Sequence, residues 1–150
     1  MSRCSGIVEM TVQAILLPLL AQVVLTFALL GLTGYSRVAS VRRGETKVRD
    51  IALGQLNWPE PITKIGNSYN NQFQLPVLFY VVVILAYVLR AADLLFVVLS
   101  WLFVATRLGH AYIHVTSNHV RRRFNAFAAG FAVLLVMWLL FAMRILVGPQ

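Results

Sequence analysis

The residues best suited to chemistry lie in one stretch, R-L-G-H-A-Y-I-H-V-T-S-N-H-V-R-R-R-F, from Arg107 to Phe124. Read as a helix, Arg107, His110, His114, Asn118 and Arg121 follow steps of three, four, four and three, which puts all five on one face. The stretch ends a strongly apolar run. Its first members therefore lie at membrane depth, where an ionisable side chain costs at least ~2.5 kcal/mol unless it is paired or wetted. Such a stripe faces a bundle interior or a polar cavity. The alternative is snorkelling of the basic residues to the headgroups, which spacing alone favours for Arg121, Arg122 and Arg123.

A second polar stripe opens another apolar run. Asn67, Asn71 and Gln74 share a face at steps of four and three, with Asn70 beside them. They form either an amide cluster bonding between helices, worth ~0.6–2 kcal/mol per bond, or a set of ligand contacts. Spacing does not separate the two.

The elements that must position these residues are transmembrane helices. Of 150 residues, 59% are hydrophobic and 12% charged, with mean hydropathy +0.77, where a soluble domain carries roughly 25% charge. Four apolar runs are long enough to span a bilayer, at approximately 12–33, 67–90, 94–116 and 124–147. Together they make a single domain. The first run is too long for a signal-peptide core and lacks a clean cleavage site. Pro18 lies in its early turns, and Thr33, Gly34, Tyr35 and Ser36 close it. The polar segment 37–66, with its W-P-E-P stretch at Trp58 to Pro61, is expected to be an irregular loop, and Trp58 an interfacial anchor. Pro76 is placed to bend the second span where its polar residues stop. Arg90 suits the end of that span and Asp93 the N-cap of the next, which makes spans two and three a tight antiparallel hairpin.

Thirteen Lys+Arg against five Asp+Glu give a net charge of +8, concentrated in the first and third loops. In this setting the charge reads as a topology signal and as contact with anionic headgroups, not as a nucleic-acid surface. The positive-inside rule puts both loops in the cytoplasm and both termini outside; in a bacterium the membrane is the inner one.

In this topology the start of span two and the end of span three lie at the same depth. Asn67, Asn71 and Gln74 are then level with His110, His114 and Arg121. Amides, imidazoles and guanidinium groups without a carboxylate suit a small polyanionic ligand, or a thiol held as thiolate. A metal is the rival, since His110 and His114 are four apart on one face. No Asp, Glu or Cys stands near to complete a shell, flanking arginines repel a cation, and His119 falls at the interface. Cys4, the only cysteine, excludes an intramolecular disulfide and lies on the far side of the bilayer. No hydroxyl–His–acid or thiol–His set stands out.

The strings N-N-Q-F-Q-L-P-V-L-F-Y (Asn70 to Tyr80) and R-L-G-H-A-Y-I-H (Arg107 to His114), set on four spans, resemble the MAPEG family, its bacterial branch most closely. These are the membrane-associated proteins of eicosanoid and glutathione metabolism. The resemblance implies an all-α membrane fold, a homotrimer of four-helix protomers, with glutathione bound between protomers near the cytoplasmic face. Residue by residue, Asn71 matches the family's glutathione-contacting asparagine, and Arg107 and His110 match its span-three pattern. His114 stands where the eukaryotic synthases commonly have tyrosine. Arg121 or Arg123 matches the arginine that stabilises the thiolate, and Arg37 lies in the region of another active-site arginine. Two positions depart. Gln74 falls where the family has a glutamate for the ammonium group of glutathione, and Asn70 where many members carry an arginine.

The resemblance implies a glutathione-dependent transferase or peroxidase acting on hydrophobic electrophiles dissolved among membrane lipids. Asn67, Asn70, Asn71, Gln74, Arg107, His110 and His114 bind the tripeptide, and Arg121, Arg123 and Arg37 are the catalytic candidates. The alternative is a non-catalytic protein that binds a lipid or other small anion in the same pocket, since the family includes such a member. A third option is a ligand-free structural trimer, in which the Asn, Arg and His side chains would pair with one another.

Overall fold

The computed structural model describes residues 10–52, 54 and 57–147, and Cys4 lies outside them. Among the described residues the chain is all helix: α1 (Val12–Arg42), α2 (Glu60–Asn70), α3 (Leu75–Val88), α4 (Leu94–Val115) and α5 (Val120–Val147), with short 3₁₀ turns at Val48–Asp50 and Asn71–Phe73. Four segments are long and apolar enough to cross a membrane, α2 and α3 together supplying the second. The molecule is a membrane-spanning helix bundle.

Each helix contributes one stripe to the core. In α3 the buried residues Phe79, Val82, Val83 and Ala86 recur at helical spacing, and in α5 Gly130, Leu134, Met137 and Phe141 do the same. Phe79 stacks on Phe103 of α4 with ring centroids 4.5 Å apart. The outside is apolar too: Phe27, Val98, Trp101 and Leu139 are exposed, as suits a surface in hydrocarbon. Within a membrane, close helix approach replaces the hydrophobic drive, and Gly130 supplies it where α5 crosses α4. A Cβ there would stand 2.8 Å from the Thr106 hydroxyl oxygen.

Two boundaries differ from the sequence expectation. α1 does not close at Thr33–Ser36 but runs to Arg42. Its hydroxyls turn inward on the helix, Thr33 donating to the Leu29 carbonyl at 2.7 Å and Ser36 to that of Thr33 at 3.0 Å, so these residues continue the helix. The segment 37–66 is likewise not one irregular loop, because α2 begins at Glu60. Pro61 falls in the first turn, where its missing N–H removes no bond, and Lys64 pairs with Glu60 at 2.7 Å. Trp58 lies beneath the Arg37 guanidinium, 5.0 Å from its ring centroid.

The second span breaks rather than bends. Pro76 in the first turn of α3 cannot donate to the Gln72 carbonyl, and its ring would clash there in a continuous helix. The chain departs from helical geometry at Gln74 (ψ −103°) and restarts at Leu75. At the other end of the hairpin, Asp93 caps α4 by accepting from the Phe96 N–H at 2.9 Å, and its second oxygen pairs with Arg144 of α5.

Candidate functional site

The buried stripe of α4 changes character along its length. Phe96, Val97, Phe103 and Val104 are apolar, and the same face continues as Arg107, His110, Ala111 and His114. The polar half meets the end of α2, the 3₁₀ turn and the start of α5. Between them lies a cleft of about 390 Å³, lined by Asn67, Asn70, Asn71, Gln74, His110, His114, Val120, Arg123, Phe124 and Phe127. One wall is four amides, the opposite wall two imidazoles and a guanidinium, and the rim on α5 is apolar. No carboxylate lines the cleft among the described residues.

Arg123 reaches in from α5. Its Nη1 lies 3.0 Å from His114 Nε2 and donates to Asn118 Oδ1 at 2.6 Å. Arg107 sits one layer beneath the cleft, with 0% of its surface exposed. Its Nη2 donates to the Asn71 carbonyl at 3.2 Å, and its guanidinium lies 6.0 Å from the centre of the Phe127 ring. Its Nε and Nη1 have no partner among the described residues, nor do Nδ1 of His110 and of His114. The two imidazoles meet edge to face, 5.6 Å between centroids.

Residues 15–143 match the model of the MAPEG family. The chain belongs to the MAPEG family. No curated protein and no solved structure shows significant similarity to it. As a MAPEG protein it is a multi-pass membrane protein of the glutathione-related, transferase- or peroxidase-like kind, and the family generally uses glutathione. No group of three or more metal-ligating side chains occurs among the described residues.

The cleft brings together seven of the residues singled out from the sequence: Asn67, Asn70, Asn71, Gln74, His110, His114 and Arg123. Arg107 backs them without lining the cleft. Arg121 is exposed on the first turn of α5, and Arg37 is exposed over Trp58; neither lines the cleft. The five-residue face read from Arg107 to Arg121 requires correction. α4 stops at Val115, Asn118 adopts a left-handed conformation (φ 48°), and a new helix starts at Val120. The break turns Arg123, not Arg121, toward His114.

Sequence reasoning passed over Gln22 and Gln72. Gln22 of α1 donates through Nε2 to Gln72 Oε1 at 2.9 Å, and Gln72 Nε2 donates to the Ser68 carbonyl at 3.0 Å. This fully buried pair ties α1 to the 3₁₀ turn that carries Asn71 into the cleft. The available signal was Gln22, set amid the apolar residues in the middle of the first span, a costly placement without a partner.

Proposed function

We propose that this MAPEG protein is a glutathione-dependent transferase or peroxidase whose second substrates are hydrophobic electrophiles reaching it through the bilayer. The observation that carries this reading is the Arg123 guanidinium at the cleft wall, held through Nη1 and facing amides instead of a carboxylate. A cation so placed keeps its charge for a bound anion and lowers the pKa of a thiol beside it. The donor set fits the tripeptide. Arginine and histidine suit its carboxylates, the oxygens of Asn67, Asn70, Asn71 and Gln74 suit its ammonium and amide N–H groups, and the volume is that of a small-molecule pocket. Val120, Phe124 and Phe127 offer an apolar surface to the electrophile, which the thiolate attacks. Arg37 and Arg121 add positive potential from outside the cleft wall. The functional unit in this reading is a homotrimer with glutathione between protomers. The cleft is at the cytoplasmic face and both termini are outside, in the inner membrane if the source is bacterial.

The test is a glutathione titration in mild detergent, following binding heat and the ultraviolet absorbance of the thiolate. Arg123→Ala should abolish the absorbance while Arg121→Ala retains it; full absorbance in Arg123→Ala would sink the assignment. Gln74 favours a second reading, a non-catalytic site for a lipid or other small anion, because a neutral amide stands where a carboxylate would hold an ammonium. Exchanging a neutral for a charged hydrogen bond adds about 1 kcal/mol, roughly fivefold in affinity. If native protein ignores millimolar glutathione and Gln74→Glu creates binding, the lipid reading replaces the enzyme.

A further inference from the structure

We propose that His114 and Asn118 are positioning residues that hold the Arg123 guanidinium by a single nitrogen, so that its other N–H groups remain free for the anion in the cleft. The inference rests on the reading of Arg123 as the group that faces a bound thiolate. It concerns how this chain holds that group in place.

The geometry is one of donor counting. Nη1 carries two hydrogens, and two acceptors meet it: His114 Nε2 at 3.0 Å and Asn118 Oδ1 at 2.6 Å. Nη1 is thereby saturated, while Nε and Nη2 bond to nothing among the described residues. Since Arg is always a donor, His114 accepts through Nε2 and carries its proton on Nδ1. An imidazolium has no lone pair and could not take this place. Both acceptors are neutral, which distinguishes the clamp from the usual arginine–carboxylate fork. A carboxylate would fix the guanidinium equally well but cancel the charge that a thiolate needs. Here orientation comes without neutralisation.

The backbone points the same way. Asn118 sits at φ 48°, a region that L-residues other than Asn and Asp seldom adopt, between two helices that lack a glycine at their junction. Its N–H closes on the Ile113 carbonyl at 2.7 Å, which ends α4, and its side chain turns to Arg123. Glycine would serve the turn at least as well. The choice of asparagine is explained by its oxygen.

This separates the structural from the positioning role experimentally. Asn118→Gly keeps the left-handed turn and removes the acceptor, and His114→Phe removes the other acceptor. His114→Gln restores an oxygen near the position of Nε2. In purified full-length protein titrated with glutathione, Asn118→Gly and His114→Phe should each raise the apparent pKa of the bound thiol. Each should also lower kcat by about tenfold or more, the order expected when a catalytic contact is misplaced, with KM changing less. His114→Gln should recover most of what His114→Phe loses, and thermal unfolding should show Asn118→Gly to be folded. If Arg123→Ala loses the thiolate while Asn118→Gly and His114→Phe keep native pKa and kcat, the clamp is refuted and the role of Arg123 stands. If Arg123→Ala itself keeps the thiolate, the functional reading falls and the clamp with it. Failure of His114→Gln to outperform His114→Phe would also count against it.

Discussion

The buried amide pair supports a quantitative prediction in which the two partners are not equivalent. Gln22 and Gln72 are 0% and 1% exposed, and they share one bond of 2.9 Å. Gln22 Oε1 already lacks a partner among the described residues, whereas Gln72 has a second bond to the Ser68 carbonyl. Gln22→Leu removes the shared bond and strips Gln72 Oε1, but it also removes the bare Gln22 oxygen. The number of orphaned acceptors is unchanged, so the cost is the bond itself, ~0.6–2 kcal/mol at membrane depth. Gln72→Leu removes that bond and the one to the Ser68 carbonyl, and leaves the whole Gln22 amide bare, adding ~1–3 kcal/mol for its unmatched donor. The double Leu variant has no orphaned amide and should be more stable than Gln72→Leu alone. Unfolding followed by circular dichroism in mild detergent, as a double-mutant cycle, gives the coupling. Additivity within about 0.5 kcal/mol, or equal cost for the two single variants, would refute the pairing.

Asp93 separates a cap from an ion pair. Asp93→Asn keeps an acceptor for the Phe96 N–H and loses only the charge opposite Arg144, a half-exposed contact worth under about 1 kcal/mol, while Asp93→Ala should cost about 1 kcal/mol more. Equal loss in both by thermal unfolding would show that the cap contributes nothing. Arg107→Met should leave the unliganded protein as stable or up to about 2 kcal/mol more stable, because it removes a buried charge whose only bond among the described residues is to a carbonyl. It should weaken glutathione binding in calorimetry, since Asn71 loses its anchor; a drop in stability beyond about 3 kcal/mol would mean that Arg107 has an anionic partner.

The membrane spans and the polar half of α4 were legible because each rests on a long-range regularity: twenty-odd apolar residues for a span, a repeated three–four step for a face. The junction between α4 and α5 was not. Between His114 and Arg123 there is neither proline nor glycine, and Thr116, Ser117 and Asn118 are only weak helix breakers. Their polar side chains compete for the backbone, and a helical reading therefore runs on to Arg121. Two residues of error in phase there exchange one arginine for another. The same weakness worked in reverse at Thr33–Ser36, where turn-forming residues sit inside a helix because their hydroxyls satisfy it.

The unmatched atoms bear on which of the functional readings the fold favours. A ligand-free structural bundle would pair its buried Asn, Arg and His side chains with one another, because an orphaned polar group in an apolar surround is expensive. This protein does so only in part, Arg123 being paired with His114 and Asn118. Two nitrogens of Arg107 and one on each of His110 and His114 are buried without partners among the described residues, while the four amides opposite them lie along an open cleft. The stripe that carries these groups is a continuation of the core stripe of α4, so helix packing holds it in place whether or not they find partners. In the proposed reading an anion in the cleft meets the remaining N–H groups of Arg123, and Arg107, one layer beneath, favours it through its charge alone.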